Sequence, residues 1–208
     1  MNEITLLAVS KTFGPEAVIE ALGAGQSAFG ENYVQEGVEK VLAVRGLLPP
    51  GAAPVVWHCI GPLQSNKTRL VASHFDWVQS VDRIKIAQRL SEQRPAGLPP
   101  LQVCIQVNAD GGASKSGVSP QDLPGLAEMV AGLPGLRLRG LMSIPDPVEG
   151  EEAQRAVFLR VRDLFEALRA RGHDLDTLSM GMSDDLEPAI AAGSTLVRVG
   201  RAIFGSRG

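Results

Sequence analysis

The sequence predicts a single (β/α)8 barrel of the TIM type, one domain over residues 1–208, and three observations carry that prediction. Short β-branched or apolar runs, eight in all, alternate with longer stretches of helical spacing. Unbroken alternation of this kind implies parallel strands with helices packed outside, and eight strands close naturally into a barrel. No glycine-rich dinucleotide turn follows the first run, which weighs against the competing open doubly wound sheet.

The elements follow in order. The strand runs fall at 4–9, 27–30, 55–60, 77–80, 101–107, 136–142, 177–180 and 195–199. Helical spacing occupies 15–23, 33–45, 66–73, 83–93, 120–131, 151–171 and 184–192. Pro15 and Pro120 suit a first helical turn, where the missing N–H has no intrahelical acceptor to lose. At 208 residues the chain has length for one substantial core and little for a second domain.

Composition narrows the function classes. With 44% hydrophobic and 21% charged residues the chain reads as an ordinary folded globule. A net charge of −3, with basic residues scattered, leaves no electrostatic footprint for nucleic acid. The start, Met1-Asn2-Glu3 and then a short apolar run, lacks the pattern of an export signal, and no apolar stretch approaches the ~20 residues of a membrane span. A soluble, cytoplasmic protein is expected. Cys59 and Cys104 sit inside apolar strand runs, as reduced buried thiols would. His58, His74 and His173 have no metal-ligand spacing, so no metal is expected.

In barrels of this class the chemistry is built on loops at the C-terminal ends of the strands. Those positions are occupied here by Lys11, Asn32, Gly61, Asn108, Ser143, Ser183 and Gly200. Alternation along Leu7-Ala8-Val9-Ser10-Lys11 places Lys11 on the face of Leu7 and Val9. If that face is the barrel interior, desolvation favours the free amine, the form that attacks an aldehyde; otherwise Lys11 snorkels to solvent. Gly181-Met182-Ser183-Asp184 sets a turn and a hydroxyl ahead of a helix, which suits either a phosphate or a plain N-cap. In Leu196-Val197-Arg198-Val199-Gly200-Arg201, alternation turns Arg198 inward if the valines face the helices. An inward arginine needs an acceptor, either a carboxylate or a bound anion. Gly200 then permits close backbone approach in the region where barrels commonly seat phosphates. Lys115, in the loop after the fifth strand run, either approaches the barrel mouth or is a plain surface lysine, and no role is assigned to it.

At these residues the sequence resembles the YggS-like family, the pyridoxal phosphate homeostasis proteins. The resemblance runs through Leu6-Leu7-Ala8-Val9-Ser10-Lys11-Thr12, Phe29-Gly30-Glu31-Asn32-Tyr33-Val34-Gln35-Glu36 and Trp57-His58-Cys59-Ile60-Gly61-Pro62-Leu63-Gln64-Ser65-Asn66-Lys67. It continues at Ser114-Lys115-Ser116-Gly117, Arg139-Gly140-Leu141-Met142, Met180-Gly181-Met182-Ser183-Asp184 and Val197-Arg198-Val199-Gly200, nearly the whole chain. The resemblance implies pyridoxal 5′-phosphate as cofactor, held as a Schiff base on Lys11, in the barrel type shared with the N-terminal domain of alanine racemases. It implies that Ser183 and the backbone N–H groups of Gly200 and Arg201 hold the phosphate. Arg198 would face the pyridine nitrogen, with Asn32 and Ser143 around the ring.

A permanent cation at that nitrogen opposes ring protonation and so weakens the cofactor as an electron sink. Tyr33 is the only tyrosine, and no residues remain for the separate domain that supplies a racemase's second base. The expectation is therefore a monomeric carrier or buffer of the vitamer with no established turnover and transient contacts with apo-enzymes. Two further readings use the same lysine, an amino-acid racemase or decarboxylase and an aldolase-like barrel acting on a sugar phosphate. Relatives usually carry an additional helix before the first strand, whereas three residues precede Ile4 here, so a less covered barrel base and a lower stability are expected. Arg201 stands where many relatives have a small hydroxyl residue, so only its backbone is expected to meet a phosphate.

Overall fold

The strand runs close into a barrel in sequence order, β1 to β8, each strand parallel to both neighbours. The structure is a computed structural model that describes residues 4–111 and 116–205. Its strands are β1 (Thr5–Val9), β2 (Ala28–Glu31), β3 (Val56–Cys59), β4 (Trp77–Val81), β5 (Leu101–Gln106), β6 (Leu136–Met142), β7 (Thr177–Ser179) and β8 (Leu196–Val199). Its helices are α1 (Pro15–Gly23), α2 (Val34–Leu47), α3 (Thr68–His74), α4 (Ile84–Gln93), α5 (Leu123–Ala131), α6 (Glu151–Ala170), α7 (Leu186–Ala191) and α8 (Arg201–Phe204).

Departures from the sequence reading are local and have local causes. A 3-10 turn, Ser65–Lys67, precedes α3, because Thr68 Oγ1 bonds back to the Ser65 carbonyl at 2.9 Å and tightens the entry. The fifth helix begins at Leu123 instead of near Pro120. Ser119 and Asp122 exchange hydrogen bonds, Oγ to Oδ2 at 2.7 Å and N to Oγ at 3.1 Å, and so hold 119–122 as a turn. The final helix, α8, is four residues long, too short for any periodicity to announce.

Two apolar layers result from strand alternation. The larger lies between barrel and helices, where Phe29, Trp57, Phe75, Ile105, Phe158 and Phe165 pack with the buried faces of α2 to α6. The smaller lies inside the barrel, where Leu7, Ala28, Ile60 and Leu196 meet with Val9 and Val56 alongside. Strand register sets Leu7 beside Arg198 and Val9 beside Gly30, so residues 7, 9 and 198 share the interior face. Polar side chains share that interior. Gln79 on β4 accepts from Ser179 on β7 at 2.6 Å, and since these strands are not neighbours that bond crosses the barrel.

Candidate functional site

At the C-terminal rim a cavity of about 770 Å³ opens, lined by Lys11, Asn32, Ser183, Arg198, Gly200 and Arg201 together with Val9, Phe13, Ile60, Ile144, Met182, Asp184 and Gly205. Six of the seven residues singled out in the sequence are thus brought to one pocket. Ser143 lies behind the lining, fully buried, and contributes its carbonyl oxygen as an acceptor for Arg198 Nη2 at 2.9 Å. The apolar members Phe13, Ile144 and Met182 carry no sequence signal of a site. They come from three separate loops, which only the closed barrel assembles.

Lys11 follows β1 in the turn that leads to α1. The next residue, Thr12, has φ of 69°. A non-glycine residue in that left-handed region costs on the order of 1–2 kcal/mol, so the surroundings must hold it there. Two hydrogen bonds hold it, from the Thr12 N–H to Glu36 Oε1 at 2.6 Å and from the Phe13 N–H to the Ser10 carbonyl at 3.1 Å. Asn32 is fixed differently, because a Cβ at Gly61 would collide with the Asn32 carbonyl and only glycine permits that approach of the two loops. Asn32 Oδ1 and Ser143 Oγ are buried and have no partner among the described residues.

Arg198 is 4% exposed and is held by neutral groups only. Nη1 donates to the Ser179 carbonyl at 2.9 Å and to Ser179 Oγ at 2.7 Å, and Nη2 reaches Ser143. Ser179 Oγ in turn donates to Gln79 Oε1, and Gln79 Nε2 lies 2.9 Å from Nδ1 of His58, whose ring stacks on Trp77. A chain of polar side chains therefore runs from the pocket floor through the barrel to β3. Burial lowers the Arg198 guanidinium to about 10, opposed by the Asp185 carboxylate and Cys104, so it stays charged at neutral pH. Burial also drives His58 down to about 3, which keeps it neutral in the chain. The carboxylate alternative for Arg198 is not what the structure contains. Its charge is solvated by dipoles and faces the cavity.

The phosphate-side candidates sit on the seventh and eighth loops. Gly181 has φ of +95°, and a Cβ there would press on Ala189, so the turn carrying Ser183 requires glycine. Gly200 caps α8, and Arg201 is its first residue. First-turn N–H groups of a helix have no intrahelical acceptors and are open to an anion. The Arg201 side chain pairs with Asp184 at 2.9 Å, with both side chains largely exposed. The arrangement fits a small anionic aldehyde: an amine, a cation with no hydrogen-bonded carboxylate, a hydroxyl beside free N–H groups, and two orphaned polar atoms.

Elsewhere the chemistry is quiet. Cys59 and Cys104 are buried and free, and burial pushes each thiol up to about 12. Among the described residues no group of His, Cys, Asp or Glu side chains has metal-binding geometry, and no helix is long and apolar enough to cross a membrane. Lys115 and Ser114 lie outside the described residues.

With this geometry in hand, the comparisons are direct. The family model described as alanine racemase, N-terminal domain, matches residues 1–208. A pyridoxal phosphate homeostasis protein of Pseudomonas aeruginosa is 60% identical over 204 residues, 98% of this chain and 85% of that protein. Its Escherichia coli namesake is 57% identical over 206 residues, 99% of this chain and 87% of that protein. The solved structure of PipY from Synechococcus elongatus with pyridoxal phosphate bound superposes with a TM-score of 0.87 at 36% identity, covering 97% of this chain and 92% of that one.

Proposed function

The chain belongs to the alanine racemase N-terminal domain family, and from that premise and the rim geometry we propose that it binds pyridoxal 5′-phosphate and serves in its intracellular homeostasis as a carrier without turnover. One observation carries the reading: Lys11, Arg198 and the Ser183 and Gly200 turns line a single cavity. Pyridoxal phosphate homeostasis proteins at 57–60% identity and a ligand-bound PipY support the choice of ligand.

In this reading Lys11 bonds to the aldehyde carbon as a Schiff base with loss of water. Ser183 and the N–H groups of Gly200 and Arg201 hold the phosphate; Arg198 faces the pyridine nitrogen, and Asn32 and Ser143 complete the surroundings of the ring. When bound, the vitamer supplies an aldehyde and, in enzymes, an electron sink. Arg198 acts against the second property. Its charge, uncompensated by any hydrogen-bonded carboxylate, disfavours a proton on the adjacent ring nitrogen. Retention and release are then the function, with apo-enzymes that use the vitamer as transient recipients.

The test is transfer. Protein loaded with pyridoxal phosphate, freed of excess and mixed with an apo-enzyme, is expected to restore activity faster than an equal concentration of free vitamer in the presence of a trapping amine. Restoration that stops when the two proteins are separated by a dialysis membrane supports handover by contact. Turnover of an amino acid by the loaded protein itself, as racemisation or decarboxylation at an enzyme's rate, would replace this reading with the catalytic one.

A further inference from the structure

We infer that the buried charge cluster of Glu31, Lys40 and Glu36 is a positioning device for Lys11, fixing the backbone on both sides of that residue so that its amine is presented to the pocket. The inference deepens the proposed function and rests on it. None of the three charged residues lines the cavity. Each acts through a neighbour of Lys11.

On one side, Ser10 Oγ donates to Glu31 Oε1 at 2.6 Å, and the Ser10 carbonyl accepts from Lys40 Nζ at 2.6 Å. On the other, the Thr12 N–H donates to Glu36 Oε1 at 2.6 Å and holds the left-handed conformation at φ 69°. Lys40 Nζ joins the halves, 2.7 Å from Glu31 Oε1 and 3.2 Å from Glu36 Oε1. The chain is thus clamped before and after Lys11 by groups from β2 and α2, across a turn that the Phe13 N–H closes on the Ser10 carbonyl at 3.1 Å.

The clamp is an expensive way to attach a helix to a strand. Glu31 is completely buried and Lys40 nearly so, and burial raises the Glu31 carboxyl above its ordinary range despite the opposing effects of Lys40 and Ser10. Glu31 Oε2 has no partner among the described residues. An apolar pair of similar volume commonly packs such a layer at least as stably. What an apolar pair lacks is the means to bind the Ser10 hydroxyl and carbonyl. Nor can it accept the Thr12 N–H.

The experiment reads the rate at which pyridoxal 5′-phosphate forms a borohydride-reducible adduct on Lys11, with thermal melting followed in parallel. Glu36 is half-buried, so Glu36→Ala is expected to stay folded with its melting temperature within a few degrees and to form the adduct about tenfold more slowly. Glu36→Gln retains an oxygen for the Thr12 N–H and is expected to recover most of the rate. Ser10→Ala, which removes the anchor on the other side, is expected to slow the reaction likewise and carries the test if Glu36→Ala does not fold. Wild-type rates in the folded variants, or a Glu36→Gln protein as slow as Glu36→Ala, would overturn the positioning role while leaving the proposed function standing. Wild-type protein that forms no adduct on Lys11 would overturn both.

Discussion

Lys40 and Arg198 are equally buried, each 4% exposed, yet the fold treats their charges in opposite ways. Lys40 is neutralised where it stands, by Glu31 and Glu36. Arg198 is given carbonyls and a hydroxyl but no carboxylate partner. A cation paired internally can organise its neighbours and little more. A cation solvated only by dipoles keeps its attraction for an anion or a lone pair, and Arg198 directs that attraction into the cavity. In the proposed function, the contrast separates the part of the rim that holds Lys11 in place from the part that meets its ligand.

The comparison is most easily broken at Lys40. Lys40→Met leaves a fully buried carboxylate without its cation and is expected to cost about 3–5 kcal/mol, read from urea denaturation. Arg198→Met orphans only neutral acceptors, so its cost is expected to be smaller, about 1–3 kcal/mol, with the loss falling instead on affinity for pyridoxal phosphate. Equal destabilisation by both changes would mean that Arg198 has a charged partner after all. Ser179→Ala removes one acceptor from Arg198 and the donor that Gln79 uses. It is expected to cost about 1–2 kcal/mol and to shift the visible absorption of the loaded protein, because the guanidinium proposed to face the ring loses its fixed position.

Acid sharpens the picture at the far end of the polar chain. His58 is held near 3, against 6.5 when exposed, so the unfolded chain takes up a proton that the folded chain refuses. Stability is therefore expected to fall as the pH drops from 6.5 towards 3, by up to about 1.4 kcal/mol per pH unit, and His58→Gln should flatten that slope in melts across the range. The smallest effect is expected at Arg201. Its pair with Asp184 is largely exposed, and Arg201→Ala should change stability by no more than about 0.5 kcal/mol in the same denaturation assay.

Much of this was legible before any coordinates. Strand alternation placed Lys11 with Leu7 and Val9, and it turned Arg198 inward on the condition that Val197 and Val199 face the helices. Gly200 was legible as a point of close backbone approach, whereas the tight contacts at Gly61 and Gly181 appear only in the structure. The Lys11 clamp was hidden. Glu36 and Lys40 are four apart on a helix, a spacing common on solvated faces, and drew no notice in the sequence, while Glu31 lies in a strand whose outward face the sequence does not orient. A signal was available in Gly37, where a side chain would strike Phe75 and Glu31, so that face of α2 had to lie against β2. The Gln79 to Ser179 bond joins residues 100 apart in the chain, and no local pattern encodes it.

The assignment of Lys11 as the reacting amine is tested most directly by reducing the complex of the protein and pyridoxal 5′-phosphate with borohydride and mapping the modified peptide. The account predicts one pyridoxyl group per chain on the peptide containing Lys11, absent from Lys11→Ala, with Lys40 unmodified. A stable adduct on any other lysine, or undiminished labelling in Lys11→Ala, would contradict it.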